Sequence, residues 1–206
     1  MKRLKEAINL IPLGVVMTIA VLSFQRWQIS QAAKPDYNNP NPILKGLGPK
    51  PGSSEIWEVV NVSDGDTITV QSGEKKDRIR FCGIDAPEVS HGKKPGQPLG
   101  DESRQMLRSL IGAAGNQVII SPAERDRYGR LVAEVFVSAG KGTEEEKLLN
   151  YELVRAGMAY HYAKYSDRCP NGSEILDAAE KEAQSKRLGV WAGENQKPWD
   201  FRRSQR

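Results

Sequence analysis

Cysteine and histidine are scarce in this sequence, with two of each among 206 residues. Structural zinc sites usually take four Cys or His ligands from paired motifs. With no second cysteine pair and so few histidines, the composition argues against such a site. Internal repeats are also absent, and the length suits one ordinary domain with appendages rather than two full cores.

The two cysteines, Cys82 and Cys169, leave two interpretations open. In an oxidising compartment an even pair favours a single disulfide. The same residues could instead be unrelated small side chains buried in the core.

Neither sign of charge dominates strongly: 30 Lys and Arg stand against 26 Asp and Glu, for a net charge of +4. A hydrophobic content of 38% with 27% charged residues is typical of a globular protein rather than a disordered one. Because basic surfaces attract phosphate at long range, the small positive surplus weakly favours a polyanionic partner.

Long apolar runs are absent except near the N-terminus. Lys2, Arg3 and Lys5 precede a mostly apolar stretch over about residues 8–24, which is the layout of a secretory signal. Roughly 17 residues are at the lower limit for crossing a bilayer, so residues 1–29 are predicted to be a cleaved signal peptide or a retained membrane anchor. The rest of the chain is then expected outside the cytoplasm, secreted or periplasmic, or held at the membrane by residues 8–24.

Three further segments follow the apolar stretch. Residues 30–54 are rich in Pro, Asn and Gly and lack helical or strand periodicity, which indicates a linker. Residues 55–194 have the patterns of a folded domain, and residues 195–206 are predicted to be a basic tail, mobile from about Lys197.

The domain pattern predicts an α+β fold. Five β-rich segments are predicted as strands, over Ile56 to Val62, Thr67 to Gln71, Arg78 to Ile84, Gln117 to Ile120 and Leu131 to Val137. Three segments with helical spacing are predicted over residues 101–111, 145–156 and 175–187. This order suits a five-stranded OB-type β-barrel flanked by three helices, with a hydrophobic helix at the N-terminus.

Three clusters of charged residues lie far apart in the sequence. They are Asp64-Gly65-Asp66-Thr67, the segment from Arg80 to Glu88, and Asp126-Arg127-Tyr128-Gly129-Arg130. Each alone could be an ordinary turn. Together they contain the parts that phosphodiester cleavage needs.

Those parts can be assigned by residue type. Asp66 and Asp85 are candidate ligands for a hard cation such as Ca²⁺, which prefers oxygen. Glu88, held off the metal, could activate the attacking water as general base. Arg80 and Arg130 could bind the phosphoryl oxygens, where charge builds in the transition state.

The motifs DGDT, RFCGIDAPE and DRYGR, with NYELVRAGMAYHY and GVW further on, resemble the staphylococcal nuclease (thermonuclease) family over residues 56–192. Five segments in order at compatible spacing make the resemblance specific. It implies a calcium-dependent endonuclease that cleaves DNA and RNA and leaves 3′-phosphorylated products.

The resemblance also implies roles for further residues. Ala86 would lend the metal its backbone carbonyl, Arg127 and Tyr128 would lie near the bound nucleotide, and Tyr160 or Tyr162 would stack on a base. The alternative is a non-catalytic OB-fold module that only binds nucleic acid. All five charged positions are present, which favours the enzyme, and we expect a monomer without a protein partner.

Overall fold

The computed structural model describes residues 48–49, 55–92, 94–138 and 146–205. The predicted N-terminal hydrophobic helix, signal or anchor (residues 1–29) and all but two residues of the predicted linker lie outside these ranges. Among the described helices, none has the length and apolar character needed to cross a membrane.

Eight strands and five helices make up the described part of the chain. The strands are β1 (Ile56–Val62), β2 (Thr67–Ser72), β3 (Lys75–Phe81), β4 (Ile84–Asp85), β5 (Gln117–Arg125), β6 (Leu131–Ser138), β7 (Glu146–Leu148) and β8 (Tyr160–His161). The helices are α1 (Gly100–Ala113), α2 (Leu149–Arg155), α3 (Ala163–Ser166), α4 (Glu174–Ser185) and α5 (Pro198–Ser204), with a 3₁₀ turn at Gly189–Trp191.

Five strands close into a barrel, which confirms the predicted five-stranded barrel of an α+β fold. They pair in the order β3-β2-β1-β5-β6, and β3 also pairs with β6 in parallel, so the sheet has no free edge at that point. Alternate residues of the strands point inward, and Ile68, Val70, Ile79 and Phe81 are buried. Helix α1 covers one side of this core with Leu107 and Ile111, which are four residues apart and therefore share a face.

Several predicted elements have different bounds in the structure, and in two of them the chain takes a different course. The predicted third strand, residues 78–84, ends at Phe81, because Gly83 turns the chain with a φ of +71° before β4 begins. The predicted helix over 145–156 begins only at Leu149, since Glu146–Leu148 pair with β6 as an edge strand. Pairing with an existing sheet edge overrides helical spacing in this segment.

The prediction of a mobile basic tail was wrong, because Pro198–Ser204 form helix α5. Pro198 is buried at the first turn, where a fixed φ suits a helix start. The Trp199 ring stacks on Tyr162, with centroids 4.7 Å apart and planes 6° from parallel. Aromatic packing against the domain therefore orders a segment whose charge pattern had suggested a solvated end.

Candidate active site

An open cleft of about 1050 Å³ brings together the three charged clusters. Its walls are the β1–β2 turn, β4 and the loop after it, the β5–β6 loop and helix α5. The lining includes Asp64, Asp66, Arg80, Asp85, Ala86, Glu88, Arg127, Tyr128, Arg130, Tyr162, Tyr165, Trp199 and Arg202. The five charged residues on which the sequence interpretation depends thus share one cleft.

The β1–β2 turn places Asp66 at the bottom of the cleft. The Asp66 N–H donates to Asp64 Oδ1 at 3.0 Å, a local bond that favours this turn. Gly65 is required by packing, since a Cβ there would overlap Ser103 of helix α1. Ser103 is itself held by its hydrogen bond to the Met158 carbonyl at 2.7 Å. The turn is therefore pressed against the helix layer.

The Asp66 carboxylate accepts hydrogen bonds on both oxygens. Oδ1 accepts from the Thr67 hydroxyl at 3.0 Å and pairs with the Arg80 guanidinium. Oδ2 accepts from the Ala86 N–H at 2.6 Å. This last bond joins the turn to the segment that follows β4, although the two are twenty residues apart.

Tertiary contacts also set the position of Asp85, whose side chain is 1% exposed. Strand β4 pairs with β8, so that Asp85 lies opposite Tyr160. The disulfide Cys82–Cys169, with Cα atoms 5.7 Å apart, ties the start of this segment to the loop before helix α4. Of the two interpretations of the cysteines, the structure has the bridge.

Arg80 joins the two buried carboxylates. It pairs with Asp66 and its Nη2 lies 2.6 Å from Asp85 Oδ1. Burial lowers the pKa of Arg80, but the charges of Asp66 and Asp85 raise it by more, so the guanidinium stays charged. One guanidinium thus holds both predicted metal ligands close to each other.

Asp64 belongs to the same floor, although no role was predicted for it. Burial, followed by the negative charge of Asp66, raises the pKa of Asp64 from its ordinary 3.8 to about 7. Four carboxyl groups, those of Asp64, Asp66, Asp85 and Glu88, line this part of the cleft, and this count, rather than the pKa of Asp64, gives the floor its acidic character.

The donor set fits a hard divalent cation. Two nearby buried carboxylates, with a backbone carbonyl such as that of Ala86, are oxygen ligands of the kind Ca²⁺ takes. No group of three or more His, Cys, Asp or Glu side chains in metal-binding geometry occurs among the described residues. Carbonyl and water oxygens would therefore have to complete the coordination, and a cation would offset the surplus negative charge of the floor.

The loop after β4 presents Glu88 to the cleft. The Glu88 N–H donates to Gln97 Oε1 at 3.1 Å, and the Gln97 N–H donates to the Glu88 carbonyl at 2.8 Å. Gly100 lies so close that a Cβ would overlap the Glu88 carbonyl. Gln97 thus positions the backbone of Glu88, and the Glu88 side chain lines the cleft.

The opposite rim of the cleft is a self-supporting loop. Asp126 Oδ1 accepts from the N–H groups of Tyr128 and Arg130 at 2.9 and 3.0 Å, and Oδ2 accepts from Arg130 Nε at 2.7 Å. Tyr128 is 68% exposed, and the Arg127 and Arg130 guanidiniums lie 5.0 and 5.7 Å from the centroid of its ring. The rim therefore offers a ring face and two cations to a polyanionic chain.

Of the two tyrosines given as alternatives for stacking on a base, Tyr160 lies outside the cleft. Its ring is buried, makes edge contacts with Trp191 and Trp199, and is not part of the cleft lining. Burial, followed by the charge of Glu180, raises its pKa to about 12. Residues on β8 alternate between faces, and only the structure shows that Tyr160 faces the core.

Tyr162 does line the cleft, but Trp199 covers one face of its ring. Tyr165, which was not predicted as a site residue, is exposed on the same wall and meets Tyr162 edge-on at 4.8 Å. Its place three residues after Tyr162 on a short helix is the only sequence signal that could have identified it.

Arg202 of helix α5 is a further cleft residue that the sequence interpretation missed. It reaches Asp85 and Glu88, 117 and 114 residues earlier in the chain. Burial lowers its pKa, but the bonds and charges of Asp85 and then Glu88 raise it by more. An arginine in a basic C-terminal segment gives no sign of such a contact.

Comparison with known proteins agrees with this geometry. The model of the family described as "Staphylococcal nuclease homologue" matches residues 78–193. An "Uncharacterized endonuclease" of Escherichia coli O157:H7 is 37% identical over 145 residues, 70% of this chain and 82% of the relative. A "Micrococcal nuclease" of Shigella flexneri is 36% identical over 150 residues, 71% of this chain and 80% of the relative. A "Thermonuclease" of Staphylococcus hyicus is 30% identical over 149 residues, 72% of this chain and 83% of the relative. The chain belongs to the family of staphylococcal nuclease homologues.

Proposed function

We propose that this protein is a metal-dependent endonuclease that hydrolyses phosphodiester bonds in DNA and RNA, uses Ca²⁺ and leaves 3′-phosphorylated products. One observation carries the proposal: Asp66, Asp85, Glu88, Arg80 and Arg130 line a single cleft in a member of this family. The names of the relatives support the activity, and the acidic floor supports the metal.

Asp66, Asp85 and the Ala86 carbonyl are the residues that would hold the cation. When bound, the cation would act as a Lewis acid on a phosphoryl oxygen and as a template for substrate. Burial of both carboxylates supports this role, because an oxygen ligand fixed by several hydrogen bonds needs little rearrangement.

Glu88 is the proposed general base. It takes a proton from water, the water oxygen forms a bond to phosphorus, and the bond from phosphorus to the 5′ oxygen breaks. The departing 5′ oxygen gains a proton, so a 5′ hydroxyl and a 3′ phosphate result. Arg80 and Arg130 would bind the phosphoryl oxygens with their planar forks, since guanidinium groups meet such oxygens bidentately.

The rim of the cleft is the proposed contact for the rest of the strand. Arg127 would neutralise a phosphate, and the exposed rings of Tyr128 and Tyr165 would stack on unpaired bases. Stacking accepts any base, which suits an enzyme that does not read sequence.

A digestion assay tests the proposal. Purified full-length protein is incubated with plasmid DNA and with RNA, in Ca²⁺, in Mg²⁺ and in EDTA. We expect cleavage of both nucleic acids with Ca²⁺ and none in EDTA. The DNA products should carry 3′ phosphates, so a polymerase should extend them only after a phosphatase has removed the 3′ phosphate. Cleavage that persists in excess EDTA would contradict the metal requirement.

The same assay separates an enzyme from a binding module. A non-catalytic OB-fold module would retard the nucleic acid in a gel under every condition and leave it intact. Tight binding without cleavage in either metal would favour that alternative and overturn the proposed activity.

Export is a second part of the proposal. The disulfide Cys82–Cys169 supports it, because disulfides persist mainly in oxidising compartments. Expression of the full chain in a bacterium, followed by fractionation and N-terminal sequencing of the product, would test it. Recovery in the cytoplasm with an intact N-terminus and free thiols would contradict export.

A further inference from the structure

Helix α5 places a positively charged side chain on the acidic floor of the cleft. Arg202 Nη2 lies 2.7 Å from Asp85 Oδ2, and Nη1 lies 3.1 Å from Asp85 Oδ1. The same Nη1 donates to Glu88 Oε1 at 2.6 Å. One guanidinium therefore holds both the proposed metal ligand and the proposed general base.

The contact uses the oxygens that a cation would need. Asp85 Oδ1 already accepts from Arg80 and Arg202, and Oδ2 accepts from Arg202. A divalent cation bound to Asp85 would share these oxygens with a guanidinium in contact with them. Like charges repel at such separations, so the two cannot both bind Asp85 at full strength.

The arrangement of α5 allows Arg202 to leave without unfolding the helix. Pro198 and Trp199 anchor the helix to the domain, and neither depends on the ion pairs. The Arg202 side chain is 41% exposed and can rotate toward solvent about its own bonds. The neighbouring Arg203 pairs with Asp200, on its own helix.

We propose that Arg202 is a built-in competitor of the metal, which occupies Asp85 and Glu88 in the metal-free protein and must be displaced before a divalent cation can bind. This inference rests on the metal site of the proposed function. Its consequence is a threshold: the site fills only when the cation concentration is high enough to displace the guanidinium, so Arg202 keeps the enzyme inactive at low cation concentration.

Calcium affinity measured without nucleic acid tests the competition. Full-length wild type, Arg202→Gln and Arg203→Gln are titrated with CaCl₂ by calorimetry. The two variants lose the same charge from the same helix. We expect Arg202→Gln to bind Ca²⁺ about 5-fold to 150-fold more tightly than wild type, the usual range for coupling between two ligands. Arg203→Gln should stay within about twofold of wild type, because Arg203 pairs with Asp200 of its own helix and not with Asp85 or Glu88.

Thermal unfolding gives a second readout. In EDTA, Arg202→Gln should melt below wild type, because Asp85 and Glu88 lose a partner. Saturating Ca²⁺ should raise its melting temperature by more than it raises that of wild type, because tighter binding stabilises more. Arg202→Lys carries an ammonium group, which cannot bind both carboxylates bidentately as a guanidinium does. Its melting temperature in EDTA and its calcium affinity should lie between those of wild type and Arg202→Gln, and it provides a second test if Arg202→Gln folds poorly.

Equal or weaker calcium binding by Arg202→Gln would overturn the proposed competition between Arg202 and the metal. A loss of turnover at saturating Ca²⁺ with unchanged calcium affinity would also overturn it, because Arg202 would then act on the substrate. The outcome is separable from the proposed function. If wild type cleaves nucleic acid with Ca²⁺ but wild type and Arg202→Gln bind Ca²⁺ equally well, the proposed nuclease activity is supported and the proposed competition is wrong. If Arg202→Gln binds Ca²⁺ more tightly but neither wild type nor any variant cleaves nucleic acid, the proposed competition is supported and the proposed nuclease activity is wrong.

Discussion

The two ends of the cleft are held in different ways. At the floor, Asp66 and Asp85 are buried, and their partners come from a turn, two strands and a C-terminal helix that are distant in sequence. At the rim, the loop of residues 126–130 is held mainly by hydrogen bonds from its own backbone and side chains to Asp126. The floor is a product of tertiary packing, and the rim is a product of local structure.

This difference matches what each end has to do. Ligands of a cation and a general base need fixed positions, and packed strands and helices provide them. A surface that meets a flexible nucleic acid needs charge and an exposed ring, and can adjust to its ligand. The comparison therefore predicts large effects on chemistry and stability at the floor and smaller effects on binding at the rim.

The largest effect is expected from Glu88→Gln, which keeps the shape of the side chain but removes the proposed base. Turnover should fall by about 10² to 10⁴, because general-base groups contribute that much. The melting temperature should change little. The matched control is Glu124→Gln, since Glu124 also lines the cleft but makes an exposed ion pair with Arg168. Wild-type turnover in Glu88→Gln would remove Glu88 from the mechanism.

Arginine removal should affect stability very differently at the two ends. Arg80→Ala leaves two buried carboxylates without their shared partner and should cost about 3–5 kcal/mol of unfolding free energy. Arg130→Ala breaks one pair within a loop, with the arginine 25% exposed, and should cost about 0–1 kcal/mol. Urea denaturation in EDTA measures both. Equal losses would show that the floor is no more dependent on its ion pairs than the rim.

Removal of the rim ring should weaken binding without slowing the chemistry. Tyr128→Ala should lose about 1–3 kcal/mol of affinity for single-stranded DNA, the usual contribution of one stacked base. Fluorescence anisotropy would measure the affinity, and kcat should stay near the wild-type value. Tyr128→Phe keeps the ring and serves as control. A drop in kcat for Tyr128→Ala would place this residue in the chemical step instead.

The last prediction concerns the pH dependence of stability. The pKa of Asp64 rises from 3.8 to about 7 on folding, so the folded state binds this proton more tightly than the unfolded state does. Its contribution to stability is present below about pH 4 and is lost as the pH rises toward about 7. Urea denaturation of the metal-free protein across this range should show the decline, and Asp64→Asn should reduce the slope. Identical slopes in both proteins would assign the titration to another group.

Local patterns in the sequence predicted much of the fold. The Asp64-Gly65-Asp66 turn between two β-branched segments predicts the first hairpin, and the structure has it. The rim loop is just as local, and its residues lie where the DRYGR motif suggested. Such elements are predictable because their hydrogen bonds join residues close in the chain.

Other parts could not be predicted in this way. Strand β7 depends on the free edge of β6, and the burial of Tyr160 depends on which way β8 faces. Tyr165 and Trp199 reach the cleft only through the packing of two short helices. None of these contacts leaves a pattern in its own segment.

The sequence by itself determined the residue types of the site and the turns that carry them, since motif and turn chemistry act over a few residues. Only the tertiary structure decided that Asp66, Asp85 and Arg80 share one buried floor and that Arg202 pairs with Asp85 there. The physical reason is distance along the chain. The ion pair between Asp85 and Arg202 depends on the barrel, the disulfide and the Trp199–Tyr162 stack, which together hold the two segments close to each other.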